Sequence, residues 1–314
     1  MRIAVIIPCY NVEHHVEVAV RSVMEQTYED LDVFAIDDGS TDGTLACLRE
    51  LEQRYAGRIR FTSGPRRGAC AARNLGLAST TGEYVQFLDA DDAILTDKLH
   101  RQVDLIRAQD GPDLVVGDFR NVFEDGREIT ITGLGERPWL ALIRTQLGTT
   151  SANLFKRTAL QRVNGWKEDQ VSSQDYELMF RMLANGCTVG WDPFVGSLVL
   201  KRKSGSISRT GQGDNWRRFI ELRRAIREHL RQDDPRRWSE EINAADQHLF
   251  MAIRVLAQHD MKQGFAEFDR TLDGGFVPDT SSATTPLYSA CFGVLGFRAT
   301  ERVAQLFSRF KAHQ

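Results

Sequence analysis

The chain reads as a mostly parallel, doubly wound α/β sheet flanked by helices, followed by a helical region. Three observations predict this. Strand-type and helix-type patterns alternate through the first part of the chain. The strand-type segments are unbroken apolar runs, as strands covered on both faces require. Beyond residue 210 the strand patterns fade and long helical periodicity takes over. This divides the 314 residues into an α/β domain over 1–210 and a helical region over 211–314.

Taken in order, "RIAVIIP" is the first buried strand, and "NVEHHVEVAVRSVMEQ" places Val16, Ala19, Val20, Val23 and Met24 at helical spacing with Asn11 as its cap. "LDVFAID" and "TLACLRELEQRY" form the second strand and helix, "IRFTS" and "ACAARNLGLAS" the third pair, "EYVQFLD" and "DKLHRQVDLIRAQ" the fourth, and "DLVVGDF" a fifth strand. "NVFEDGREITI" reads as a hairpin around Asp125-Gly126. "SSQDYELMFRMLANG" reads as a capped helix stopped by Gly186, and "VGWDPFVGSLVLKRK" returns to strand. "NWRRFIELRRAIREHLRQ" opens the helical region with Phe219, Leu222, Ile226 and Leu230 on one stripe. Near the end, "ATERVAQLFSRFKAHQ" carries Val303, Leu306, Phe307 and Phe310. Residues 271–286 read as a linker or loop.

Composition narrows the function classes. A net charge of −3 gives no global field toward nucleic acid or membrane. The five cysteines are odd in number and contain no C-x-x-C, which argues against a disulfide framework or a zinc site. The apolar run at the start ends at Pro8, too short for a signal peptide, and "LYSACFGVLGF" (287–297) is too short to span a bilayer. The expectation is a cytoplasmic protein.

Four segments carry possible chemistry. "IDDGSTDGT" (36–44) ends a strand with Asp37 and Asp38. A capped turn accounts for Asp42 but not for those two, whose carboxylates could accept an N–H of a uracil-type base. "DADD" (89–92) gathers like charges at a strand end, where Mg²⁺ or Mn²⁺ with attached phosphates would offset them; a solvated turn plus a helix cap is the plainer alternative. "GPRRGACAARNLGL" (64–77) brings Arg66, Arg67 and Arg73 toward the acidic strand ends. Asp175 in "SSQDYEL" stands in the first turn of a helix, where the dipole favours a carboxylate and lowers its pKa. In a doubly wound sheet ligands bind beyond the carboxyl ends of the strands, where Asp37, Asp38, Asp89 and Asp91 all fall.

The order "PCYN", "DDGSTDGT", "ARNLG", "LDADD" and "QDYELMFR" resembles the family 2 glycosyltransferases of the GT-A fold over roughly residues 1–210. The resemblance implies a nucleotide-side turn at Pro8, Tyr10 and Asn11, and a base contact at Asp37 with Asp38 beside it. It implies a D-x-D at Asp89 and Asp91, with Asp91 on Mn²⁺ or Mg²⁺ and Asp89 near the sugar or ribose. Asp175 matches the catalytic base, with Gln174 where relatives carry Glu, and Glu177 or Asp169 as fallback bases. In "KRKSGSIS" (201–208), Arg202, Ser206 and Ser208 match the family, and Lys203 stands where many relatives have His, suggesting that it neutralises diphosphate rather than ligating metal. The implied reaction is inverting transfer from a nucleoside-diphosphate sugar, UDP first and dTDP next, to a glycan or lipid-linked glycan acceptor in cell-surface polysaccharide synthesis. The alternatives are a sugar nucleotidyltransferase and a non-catalytic nucleotide-sugar-binding protein. For the arginine-rich C-terminal helices two readings stand: packing on the catalytic domain or a twin subunit, and peripheral contact with the inner face of a membrane.

Overall fold

A computed structural model describes residues 1–202, 212–272, 274–280 and 284–311, with side chains of 212–213 and 307–311 left aside. Lys203, Ser206 and Ser208 lie outside the described residues. The chain forms two compact units, Met1–Ser206 and Ile207–Gln314.

The first unit alternates β1 (Ile3–Cys9), α1 (Val16–Met24), β2 (Leu31–Asp37), α2 (Thr44–Arg54), β3 (Ile59–Ser63), α3 (Ala69–Ser79), β4 (Tyr84–Phe87), β5 (Ala93–Ile94), α4 (Lys98–Ala108) and β6 (Leu114–Phe123). It continues through β7 (Glu128–Ile131), α5 (Pro138–Ile143), β8 (Leu154–Lys156), α6 (Arg157–Arg162), α7 (Gln174–Ala184) and β9 (Val189–Lys201). The strands form one nine-stranded sheet in the order β3-β2-β1-β4-β8-β6-β9-β5, with β7 beside β6. The β3-β2-β1-β4 half is parallel, β8 runs antiparallel to both its neighbours, and β9 is again parallel to β6. The five residues Ile3–Ile7 of β1 and all four of β4 are buried, which is why their sequences do not alternate. Gly76 allows α3 to lie close on this sheet, since a Cβ there would sit 2.3 Å from Ile6 Cγ2.

Register aligns the carboxyl ends. Cys9 pairs with Asp37, and Asp37 with Ser63. The loops leaving β1, β2 and β3 therefore emerge on one edge, and the turn after β4 joins them beyond the Ile6–Phe87 pair. The hairpin expected at Asp125-Gly126 is β6–β7, with Val122 opposite Glu128.

Two capping expectations are corrected. Asn11 does not cap α1: the helix starts at Val16 behind His15, because the Val12 carbonyl accepts the His15 and Val16 amides and spends residues 12–15 in a turn. The capped start of α7 is also absent, for Ser173 precedes it in the left-handed region (φ 54°) with no side-chain capping bond.

The second unit consists of α8 (Gln212–Asp233), α9 (Ser239–His259), α10 (Met261–Thr271) and α11 (Pro286–Lys311), the last broken at Gly296 (φ 71°). Its core centres on Phe250, ringed by Phe268, Phe276, Tyr288, Phe292 and Phe297 with centroids 5.1–6.3 Å away. Leu222, Ile226 and Leu230 of the α8 stripe are buried. Val303 and Leu306 are exposed, and the inward positions of that part of α11 are Phe297, Thr300 and Glu301. Among the described residues no helix is long and apolar enough to cross a membrane.

Candidate active site

The first two strand-to-helix turns are laced together. Asn11 takes a left-handed conformation (φ 50°), its amide donates to Ser40 Oγ at 3.0 Å, and its Oδ1 accepts the Thr41 amide at 2.8 Å. Val12 N–H donates to Thr44 Oγ1 at 2.8 Å. Asp42 accepts the Thr44 amide at 3.0 Å in a turn of its own, while Gly43 takes the N-cap position of α2 expected for Asp42.

Asp37 and Asp38 are both buried and both engaged by the chain itself. Asp37 accepts the Ser40 amide (3.1 Å) and the Ser63 hydroxyl (2.6 Å), tying β2 to the end of β3. Asp38 accepts the Arg67 and Gly68 amides at 2.7 and 2.8 Å and so clamps the loop before α3. Gly39 leaves room for that loop, since a Cβ there would meet Arg66 N at 2.8 Å. The loop sets the Arg66 guanidinium over the Tyr10 ring, 4.2 Å from its centroid. Arg67 reaches Glu168 at 3.2 Å on the surface.

A second group forms at the end of β4. Arg73, buried in α3, donates to Asp89 Oδ1 at 2.7 Å and to Gln174 Oε1 at 2.9 Å, and its guanidinium lies 4.4 Å from the Trp166 centroid. Arg73 thus joins the D-x-D turn to the first turn of α7. Gln174 supplies Arg73 with the neutral acceptor that a Glu would supply as an anion, and its amide donates to the Gln170 carbonyl at 2.9 Å. Asp91 pairs with Arg202 at 2.8 Å, both side chains 20% exposed. Asp92 is buried, between Ser151 and the Leu200 amide.

The electrostatics follow from this crowding. Burial raises the Asp91 carboxyl above the ordinary range and Asp89 adds to it, against the opposing pull of Arg202. Asp92 is pushed well up, by burial first and then by Asp89 and Asp91. Asp175 is partly buried, and loss of solvation raises its carboxyl despite the Tyr176 amide, which donates to it at 2.9 Å; Asp89 raises it further and Arg73 opposes. Burial therefore outweighs the helix terminus that would make Asp175 a weaker base. Of the fallback bases, Glu177 already forms a two-pronged pair with Arg181 at 2.8 Å, and Asp169 is 77% exposed beside Lys167.

The carboxylates suit a hard divalent cation that draws most of its ligands from phosphate and water. Asp91 presents a part-exposed oxygen donor with Asp89 two residues away. Among the described residues no three His, Cys, Asp or Glu side chains converge in a closed metal cluster. Two contributors escaped the motif reading. Trp166, beneath Arg73, is held by Asn74, whose amide donates to its carbonyl at 2.8 Å and whose Oδ1 accepts its N–H at 2.9 Å. Ser151 sits in "GTTSANLF", a stretch with no local signal of function.

Residues 4–168 match the profile of Glycosyl transferase family 2. The chain belongs to this family. It is 31% identical over 210 residues to an uncharacterized glycosyltransferase of Nostoc sp., covering 63% of this chain and 61% of that protein. The family 2 chain thus spans less than two thirds of that curated relative. The crystal structure of S. aureus TarS (a fragment in complex with UDP) is similar with a TM-score of 0.64 at 19% identity, covering 98% of this chain and 92% of that one. A mannosyltransferase from Pyrobaculum calidifontis, in complex with GDP-Man and Mn²⁺, has a TM-score of 0.59 at 20% identity, covering 97% and 86%. These likenesses confirm the GT-A-like fold.

Proposed function

We propose that this family 2 protein is an inverting glycosyltransferase that moves a sugar from a nucleoside-diphosphate sugar to an acceptor hydroxyl. The observation that carries the reading is the Arg73 bridge, which joins Asp89 of the D-x-D to Gln174, the residue before Asp175. A carboxylate of raised basicity therefore stands next to the residue that this bridge holds, within electrostatic reach of Asp89 and Arg73.

Asp175 takes the proton from the acceptor hydroxyl. The freed oxygen attacks the anomeric carbon from the face opposite the diphosphate, the bond to the diphosphate breaks, and the configuration inverts. Tyr10, Asn11, Pro8 and the turns held by Asp37 and Asp38 bound the nucleotide end. Asp89 orients the sugar or ribose while Arg73 keeps it in place. Asp91, with Asp89 beside it, would hold Mn²⁺ or Mg²⁺, which would supply stabilisation of the charge that collects on the leaving diphosphate. Arg202 turns from Asp91 to that diphosphate, and Lys203 adjoins it in sequence. UDP is the expected nucleotide, in keeping with the TarS complex, and the Pyrobaculum complex supports a metal-assisted donor site.

The test is a panel of UDP-, dTDP- and GDP-sugars with Mn²⁺, read by nucleotide release and by thermal stabilisation. Donor hydrolysis or transfer with one sugar class is the expected result. Binding without any turnover, across acceptor glycans as well, would leave a nucleotide-sugar-binding protein instead. We extend the proposal to the C-terminal helices: Leu287, Val294 and Leu295 are exposed on α11 with Arg298 and Arg302 following them, which supports contact with an anionic membrane surface that presents the acceptor. Salt-sensitive sedimentation with acidic liposomes tests this; a dimer in solution with no liposome binding would favour the twin-subunit reading.

A further inference from the structure

The three aspartates of the turn after β4 divide their partners unevenly. Asp89 holds the Arg73 guanidinium and Asp91 the Arg202 guanidinium. Asp92, 5% exposed, accepts two neutral donors instead: the Ser151 hydroxyl at 2.6 Å on one oxygen and the Leu200 amide at 3.0 Å on the other. It does not cap the following helix, which starts at Lys98 behind Asp97. A buried carboxylate among neutral donors is costly, so fold stability alone is a weak reason to keep it.

Its partners are themselves fixed. Ser151 is fully buried, and its hydroxyl also accepts the Asp89 amide at 3.2 Å. The Ser151 carbonyl accepts the Ser197 hydroxyl at 2.9 Å and the Gln86 amide at 3.1 Å, which anchors it to β9 and β4. Leu200 lies in β9, two residues before Arg202. One side chain therefore spans the turn that bears the D-x-D and the strand end that bears the arginine facing it.

We propose that Asp92 is a positioning residue: its carboxylate, held by Ser151 and Leu200 together, sets the spacing between Asp91 and Arg202 and thereby the fit of the metal–diphosphate pair. The proposal rests on the donor-site reading above. Both oxygens of Asp92 accept here, one from each side. An asparagine offers one acceptor, and its amide would face the Ser151 hydroxyl, which would have to give up its present donation.

The experiment measures Mn²⁺ binding by electron paramagnetic resonance and UDP binding by calorimetry, in the full-length protein and in Asp92→Asn, Ser151→Ala and the double variant. Groups that orient metal ligands are worth roughly 10–100-fold in metal affinity when changed. Asp92→Asn is therefore expected to weaken Mn²⁺ binding in the presence of UDP by about tenfold and to leave UDP binding without metal unchanged. The double variant should be no worse than the poorer single one, because both changes break one unit. Where Asp92→Asn does not fold, Ser151→Ala carries the test, since it deletes a single hydroxyl. A parent protein that binds Mn²⁺ with UDP beside a folded variant that binds it within twofold overturns the role of Asp92 alone. A parent that binds Mn²⁺ with none of UDP, dTDP or GDP overturns the donor-site reading, and this proposal with it.

Discussion

At Asp175 two roles compete, and the structure separates their consequences. Its carboxylate accepts the amide of the next residue, which an asparagine oxygen can also do. A first-turn contact of this kind is worth about 1 kcal/mol at most, whereas a general base is worth roughly a hundredfold or more in rate. Asp175→Asn is expected to melt like the parent and bind donor like the parent, with turnover lowered by at least about a hundredfold. Turnover within a few-fold would reduce Asp175 to a helix-start residue. The pH dependence has a definite sign. Burial holds this carboxyl above its ordinary range, so a base at this position would lose its function as pH falls through a value higher than the ~4 of a free aspartate. The acid limb of kcat/KM should lie correspondingly high. Asp91→Asn should abolish metal-dependent donor binding while the nucleotide still binds weakly without metal; calorimetry with and without Mn²⁺ reads both.

A second titrating residue makes stability depend on pH. Lys98, 1% exposed, donates to the side-chain oxygens of Gln86 and Gln102, and burial lowers its pKa to about 7. Between about 7 and the ~10.4 of a free lysine the unfolded chain holds a proton that the folded chain has released. Stability contributed by this site therefore rises with pH across that window. Lys98→Met should remove the slope, read as the difference between parent and variant denaturant midpoints from pH 7 to 10; parallel curves would refute it.

At the scale of elements, the turns at the carboxyl edge are held by side chains rather than by helix caps. Asp38 satisfies two consecutive amides of the loop before α3, and removing it leaves both without their acceptor. Asp38→Ala is expected to cost about 2 kcal/mol, a charge-assisted bond or two, and to release Arg66 from Tyr10. Asp37→Ala should likewise weaken nucleoside diphosphate binding without any sugar attached. Unchanged affinities for UDP, dTDP and GDP by calorimetry would show that these aspartates serve the fold only.

At the scale of the whole molecule, each unit carries its own core. Val5, Ile7, Val20 and Leu99 belong to the first, and Phe250, Ile253, Phe265 and Phe292 to the second. Phe250 touches five other rings, so Phe250→Ala should destabilise the second unit by about 3–5 kcal/mol. The carboxylates proposed for the donor side all lie in the first unit, and nucleotide affinity should stay within a few-fold. Calorimetric melting followed by nucleotide titration distinguishes this from a single shared core, in which both properties would fall together.

The sequence by itself determined most of the strands, most of the helices and the place of the acidic residues, because these follow from local pattern. A continuous apolar run such as Ile3–Ile7 states its burial on both faces, and a polar cluster at its end states where the sheet meets solvent. It also carried the order of motifs that marks family 2. The tertiary structure alone decided who meets whom. The strand β8 is only three residues long and has no period to read; it becomes a strand because Tyr84, Val85, Leu114 and Val115 flank it. That insertion delivers Ser151 to Asp92, just as the packing of α3 delivers Arg73 to both Asp89 and Gln174. Asn11 shows the same limit: its residue type suits a cap, but the turn after it spends the local bonds, and its side chain serves the neighbouring loop instead. Local preference states how a segment folds and which face it buries. Choosing a partner many residues away depends on register and closure, which exist only once the sheet is assembled.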